Sequence, residues 1–188
     1  MIPIKHQIFY FPEASARLDT LCELICETSI DSSYFYGLAH ICNSIEKLIM
    51  FNSALKDNNG IIKLIEVQRN LKYFEWKDDF LNYDMYFNDD DPYEEIFLAL
   101  AKKADTLNYF ITGFQNIDDY DHTILQCVLS RLRKLKTLQI GSLYDDEEEL
   151  KMLVYRDLEV LKIDDILYFI CKYMFPVNGR ATFGLAAN

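Results

Sequence analysis

One hexameric pattern, repeated six times, constrains the fold of this chain more than any other feature. Its template is an apolar residue at position i, followed by others at i+3 and i+5. "LCELIC" places Leu21, Leu24 and Cys26, "IEKLIM" places Ile45, Leu48 and Met50, and "LKYFEW" places Leu71, Phe74 and Trp76. "LKTLQI" and "LEVLKI" follow at Leu135 and Leu158, while "LNYFIT" matches at Leu107 and Phe110 and puts Thr112 third. The starts at 21, 45, 71, 107, 135 and 158 are 24, 26, 36, 28 and 23 residues apart. A single hexamer means little where Leu and Ile are common, but six in phase point to one unit copied along the chain.

Four of the five intervals lie within the roughly 20 to 29 residues of a leucine-rich repeat, a short strand backed by a helix or turn. Each interval offers a helical candidate. "SSYFYGLAHICNS" puts Phe35, Leu38, Ala39, Ile41 and Cys42 on one face, and "NGIIKLIEVQRN" does so with Ile61, Leu64, Ile65 and Gln68. In "DPYEEIFLALAKKADT" Asp91 is placed to cap, with Pro92 at the first helical position and two Glu in the first turn. "DHTILQCVLSRLRK" offers Asp121 as cap and basic residues near its end, and "DDEEELKMLVYRD" repeats that polarity. A doubly wound sheet would need longer β-branched strands and a Gly-rich phosphate turn, and neither is present. The expected fold is therefore α/β: a leucine-rich-repeat-like solenoid of about six strand-helix units, a curved parallel sheet with helices on its convex side. Residues 18–175 are expected to form this domain, after an N-terminal segment 1–17 and before a tail, 176–188, expected to be disordered or foreign. An unfinished solenoid of this kind would expose the apolar edge of its last unit.

In that geometry the i+2, i+4 and i+6 side chains project from the concave face. They are Glu23, Ile25, Lys47, Ile49, Phe51, Tyr73, Glu75, Lys77, Tyr109, Ile111, Thr137, Gln139, Val160, Lys162 and Asp164. Aromatic, aliphatic and charged groups of both signs suit a protein surface, where aromatics bury area and charges set register. The expected partner-binding set is Lys47, Ile49, Phe51, Tyr73, Glu75, Lys77, Tyr109, Ile111, Gln139 and Lys162, anchored on Tyr73, Glu75, Lys77 and Tyr109.

Charge narrows the partners. The formal net charge of -11, from 30 acidic and 19 basic residues, disfavours a phosphate backbone and an anionic membrane surface. No apolar run of about 18 residues suggests a membrane span. The N-terminus lacks a secretory core and cleavage site, and five cysteines fit reduced thiols better than a disulfide framework. A cytoplasmic or nuclear monomer is expected.

With the hexamers placed, "ARLDTLCELICETSIDSSYFYGLAHICNSIEKLIMFN", "NLKYFEWKDDF", "IFLALAKKADTLNYF" and "LKMLVYRDLEVLKI" resemble an expanded family of fungal F-box and leucine-rich-repeat-like proteins, abundant in arbuscular mycorrhizal fungi. The resemblance covers roughly residues 10 to 170. It implies that an F-box recruits the Skp1 subunit of a cullin-RING ubiquitin ligase while the repeats select the substrate. No F-box is evident here, since about 20 residues precede the first hexamer. The usual ladder position, i+8, reads Ser53, Asp79, Gln115, Leu143 and Ile166, so the turns are expected to satisfy their backbone groups by other means. The expected function is non-enzymatic recognition within such an adaptor. The alternative is a truncated or vestigial family fragment, and a hydrolase or metal enzyme stands third.

Other features have plainer readings. The longest interval holds an insertion, "KDDFLNYDMYFNDDD", with Asp78, Asp79, Asp84, Asp89, Asp90 and Asp91 among aromatics. It suits an acidic-aromatic binding loop, and the ligand spacing of a calcium loop is missing. Cys26 and Cys42 fall on inward positions and Cys127 and Cys171 in apolar helical surroundings, so core thiols are expected rather than zinc ligands with Cys22 and His40. No motif brings His6, His40 or His122 to a nucleophile, and "DDEEE" reads as a helix start. No cofactor is expected.

Overall fold

The computed structural model describes residues 12–53, 59–78, 93–114, 123–142, 159–164 and 182–183. Every hexamer becomes a strand. The element order is α1 (Pro12–Leu18), β1 (Glu23–Glu27), α2 (Ser32–Ile41), β2 (Lys47–Asn52), α3 (Asn59–Val67), β3 (Tyr73–Asp78), α4 (Glu94–Ala101), β4 (Tyr109–Phe114), α5 (Thr123–Arg131), β5 (Thr137–Ser142), β6 (Val160–Asp164) and β7 (Thr182–Phe183). The seven strands form one sheet in strict chain order, and every pairing is parallel. Of the tail from 176, only β7 lies within the described residues, beside β6.

The units share a backbone device as well as a pattern. The carbonyl oxygen at position i+1 of one hexamer accepts two N–H groups from the start of the next strand. Cys22 O accepts from Glu46 N and Lys47 N at 2.8 and 3.0 Å. Glu46, Lys72, Asn108 and Lys136 repeat the arrangement with their successors, each within 2.8 to 3.0 Å. Register follows from it, so that Leu48, Phe74, Phe110 and Leu138 stand side by side, as do Met50, Trp76, Thr112 and Ile140.

Alternation then sorts the faces. The i, i+3 and i+5 residues from the second unit to the fifth are buried, and they join the buried residues of α2, α3, α4 and α5 in one core. The first unit is less enclosed, with Leu21, Leu24 and Cys26 only partly buried on the first strand of the sheet. Behind the middle strands the core closes into an aromatic circuit. Phe74 stacks on Trp76 and Phe110, Phe97 meets Phe110 edge-on and stacks on Tyr93, and Tyr93 returns edge-on to Trp76, all at centroid distances of 5.9 to 6.4 Å. Such contacts add to area burial and fix ring orientation, giving β3 and β4 a stiff backing.

The helices are tied by polar groups placed where the chain needs them. Asp31 caps α2, its carboxylate accepting from Ser33 N at 2.9 Å. Gln68, just past α3 and 1% exposed, donates to Cys42 O and Leu64 O and accepts from Ile45 N, so one amide joins the end of α2 to the start of the next strand. At Gly60 the backbone N–H meets Ser32 Oγ at 3.0 Å, and an added Cβ would overlap the Ser32 carbonyl and stand 2.8 Å from Phe35 Cβ. Only glycine permits α3 to approach α2 so closely.

Three local expectations change. α4 starts at Glu94 with Tyr93 in the cap position and no side-chain cap bond, while Asp91, Pro92 and the candidate cap Asp121 lie outside the described residues. Tyr93 uses its hydroxyl elsewhere, donating to Asp78 Oδ2 at 2.6 Å. Cys127 is exposed, because the apolar face of α5 runs through Leu125, Val128 and Leu129. Finally, the polar ladder sits at i+7. Thr28 Oγ1 donates to Asn52 Oδ1 at 2.9 Å, and Asn52 Nδ2 donates to Asp78 Oδ1 at 2.8 Å. Asp78 belongs to this ladder, where it also accepts from Trp76 Nε1 at 2.8 Å. The rest of the acidic-aromatic insertion, the run 145–149, Cys171, His6 and His122 lie outside the described residues.

Candidate docking face

The side chains opposite the core form three rows across the strands. Glu23, Lys47, Tyr73, Tyr109, Thr137 and Val160 make the first; Ile25, Ile49, Glu75, Ile111, Gln139 and Lys162 the second; Glu27, Phe51, Lys77, Gly113, Gly141 and Asp164 the third. All ten expected partner-binding residues thus fall at positions of one face. The side chains of Lys162 and Asp164 are outside the described set, and Gln139 is half-buried.

Around Tyr73 the groups are bonded into one network. Lys47 Nζ lies 2.8 Å from Glu23 Oε1 and 5.3 Å from the centroid of the Tyr73 ring. The Tyr73 and Tyr109 rings are 5.8 Å apart. Tyr73 OH donates to Glu75 Oε2 at 2.7 Å, while Lys77 Nζ lies 2.6 Å from Glu75 Oε1 and 5.6 Å from the centroid of the Phe51 ring. Each lysine is therefore compensated by a carboxylate and held over an aromatic ring.

Burial is uneven. Glu75 is 8% exposed and Ile49 9%, whereas Ile25 is 56% and Tyr109 40% exposed. Those two are among the three exposed large hydrophobics of the described residues, the third being Tyr36 on α2. Burial pushes the Glu75 carboxyl upward, but hydrogen bonds from Lys77 and Tyr73 outweigh it and hold the group below the usual carboxylate range. Burial, then the bond to Glu75, pushes the Tyr73 phenol well above its ordinary value. Glu75 stays ionised and Tyr73 stays a donor, so the network keeps one bonding pattern through neutral pH.

The thiols and histidines build nothing comparable. Burial raises Cys26 to about 12 and, with Asp19 adding, Cys42 to about 11, so both remain protonated. His40 is exposed, and among the described residues no group of three His, Cys, Asp or Glu stands ready to hold a metal ion. No helix among them is long and apolar enough to cross a membrane. Glu27, Gly113 and Gly141 belong to the same face and were absent from the sequence-derived set. Extending the alternation one strand position in the first, fourth and fifth units would have found them. Comparison with protein-family models, characterised proteins and solved structures gives no match.

Proposed function

We propose that this chain is a non-enzymatic recognition module, a leucine-rich-repeat-like solenoid of about six units with helices on its convex side, which binds a protein through its open strand face. Its place is the substrate-selecting part of an F-box-type ubiquitin ligase adaptor in the cytoplasm or nucleus. One observation carries the docking reading. Ile25 and Tyr109 are exposed on either side of a network whose charges already compensate one another. A partner covering them gains apolar burial without stripping water from a free ion, which is the favourable case at an interface. The adaptor role rests on the family resemblance alone.

Skp1 binding tests the adaptor role. Calorimetry with purified Skp1 is run on this chain and on a version extended by its upstream genomic sequence; binding by either supports recruitment, and binding by neither refutes it. Tyr73→Ala with Tyr109→Ala addresses the face. In an adaptor that binds Skp1, the pair should abolish ubiquitination of the substrate while Skp1 affinity and cooperative unfolding persist. Undiminished ubiquitination would remove the face from the mechanism.

A further inference from the structure

Because every strand runs the same way, the turns that lead from helix to strand lie along one rim of the sheet. Those that follow α3, α4 and α5 stand side by side, for Asn108 N donates to Lys72 O and Lys136 N to Asn108 O, both at 2.8 Å. In a chain of net charge -11, these three turns, 68–72, 102–108 and 132–136, hold seven cations and one acid, Asp105. Four of those cations are engaged. Lys72 lies 2.9 Å from Glu46, Lys102 2.6 Å from Glu66 and Lys136 3.2 Å from Glu159, while Lys103 Nζ donates to the Glu66 and Gln68 carbonyls at 2.6 and 2.7 Å. The turn after α5 is different. Arg133 and Lys134, with Arg131 at the end of the helix, are all exposed, and none pairs with a carboxylate among the described residues. Leu132 and Leu135, both 0% exposed, anchor this turn in the core, and Arg133 N donates to Arg131 O at 2.8 Å, so a fixed backbone presents the three cations. The helix dipole alone does not call for them, since α3 and α4 end without a basic residue in their last turn.

We propose that this turn, Arg131 to Lys134, binds a short acidic segment of a partner protein, two or three Asp or Glu side chains close together. It is a second surface, on the rim and apart from the open strand face, so it does not rest on the docking reading given above. A guanidinium group pairs with a carboxylate through two parallel hydrogen bonds, and three unpaired cations on a fixed turn are already gathered for such a ligand. Like charges held together repel one another, and incoming carboxylates relieve that repulsion. Charge also limits the size of the occupant. The rest of the chain is more acidic than the -11 of the whole, and exposed charges act over a Debye length of about 8 Å at physiological ionic strength. A segment of a few residues stays within the field of the turn. A nucleic acid strand or an anionic membrane runs beyond it and meets the acidic remainder, so a peptide is favoured over either polyanion.

The test is the fluorescence anisotropy of a labelled decapeptide, three adjacent Glu in a Gly-Ser background, titrated with the purified chain. Binding should be seen at low salt, weaken as salt is added, and be absent for the same peptide with Gln in place of Glu. Arg131→Gln, Arg133→Gln and Lys134→Gln together should weaken it at least ~10-fold, the loss of three exposed ion pairs. Removing two charges elsewhere, Arg17→Gln with Lys63→Gln, should change it less than ~2-fold, which separates the turn from net charge. The three side chains are exposed, so the triple variant should melt with the parent, and Arg133→Gln alone should act in the same direction to a smaller extent. No binding at low salt, equal binding of the Gln peptide, or equal binding by the triple variant overturns the site. Tighter binding of a ten-nucleotide thymidine strand or of phosphatidylserine vesicles than of the peptide would make it a phosphate site. Self-association of the parent at low salt, abolished in the triple variant, would make the occupant a second copy. Either result also overturns the proposal.

Discussion

Gln68→Met isolates what one buried amide contributes. Gln68 is 1% exposed, and its side chain satisfies Ile45 N, Cys42 O and Leu64 O at 2.8 to 2.9 Å. Methionine has nearly the same length and flexibility, so the volume is kept and the three bonds are lost. The Ile45 N–H is then left buried without its acceptor, and two carbonyls lose a donor. Each unsatisfied buried group costs about 1–3 kcal/mol, with N–H groups at the upper end and carbonyls at the lower. Greater apolar burial by the thioether offsets part of that, leaving a loss of about 2–4 kcal/mol. With a urea m-value on the order of 2 kcal/mol/M, the unfolding midpoint should fall by about 1–2 M while the slope is unchanged. Urea titration followed by circular dichroism and by Trp76 fluorescence reads it, and coincident curves license a two-state fit. A loss below about 0.5 kcal/mol would refute the account, because the bonds would then be replaceable by relaxation or water.

Two other outcomes are expected. Thr112 Oγ1 is buried, 2% exposed as a residue, and has no hydrogen-bond partner among the described residues, while its row neighbours Trp76 and Ile140 are apolar. Thr112→Val should stabilise the chain by about 1 kcal/mol or more, raising the calorimetric melting temperature by ~2–4 °C; a decrease would mean that the hydroxyl has a partner. The Glu75 carboxyl, held low in the fold, contributes stability that is full above its ordinary value of about 4.3 and is lost as pH falls through the depressed one. Tyr73, raised in the fold, contributes stability that is full below about pH 10 and is lost as pH rises through the raised value. In urea midpoints measured across pH, Glu75→Gln should flatten the acid limb and Tyr73→Phe the alkaline limb. Curves parallel to the parent would show that these groups titrate alike in the folded and unfolded chains.

Strand positions and inward phase were legible because period-2 alternation writes itself into the apolar pattern. The hexamer at Leu71 shows it: Leu71, Phe74 and Trp76 are buried, and Tyr73, Glu75 and Lys77 share the other face. The same alternation, continued one step, would have placed the ladder at Asn52 and Asp78 instead of Ser53 and Asp79. Spacing borrowed from regular repeats overrode strand parity at that point. Burial within the open face was not legible. Glu75 and Ile25 hold the same row, yet Glu75 is covered by Tyr73 and Lys77 while Ile25, on the first strand, has one neighbouring strand among the described residues. That difference depends on what the adjacent strands carry, which no single hexamer contains.

A sheet laid down in strict chain order has an unusual freedom of length. Each strand bonds only to its sequence neighbours, so inserting or deleting a whole unit breaks no long-range pairing and needs only that the doubled carbonyl at i+1 find the next strand. Genes for such chains can lengthen or shorten by recombination between units without passing through an unfoldable intermediate. The width of the open strand face would then change in steps of one strand, about 4.8 Å at a time.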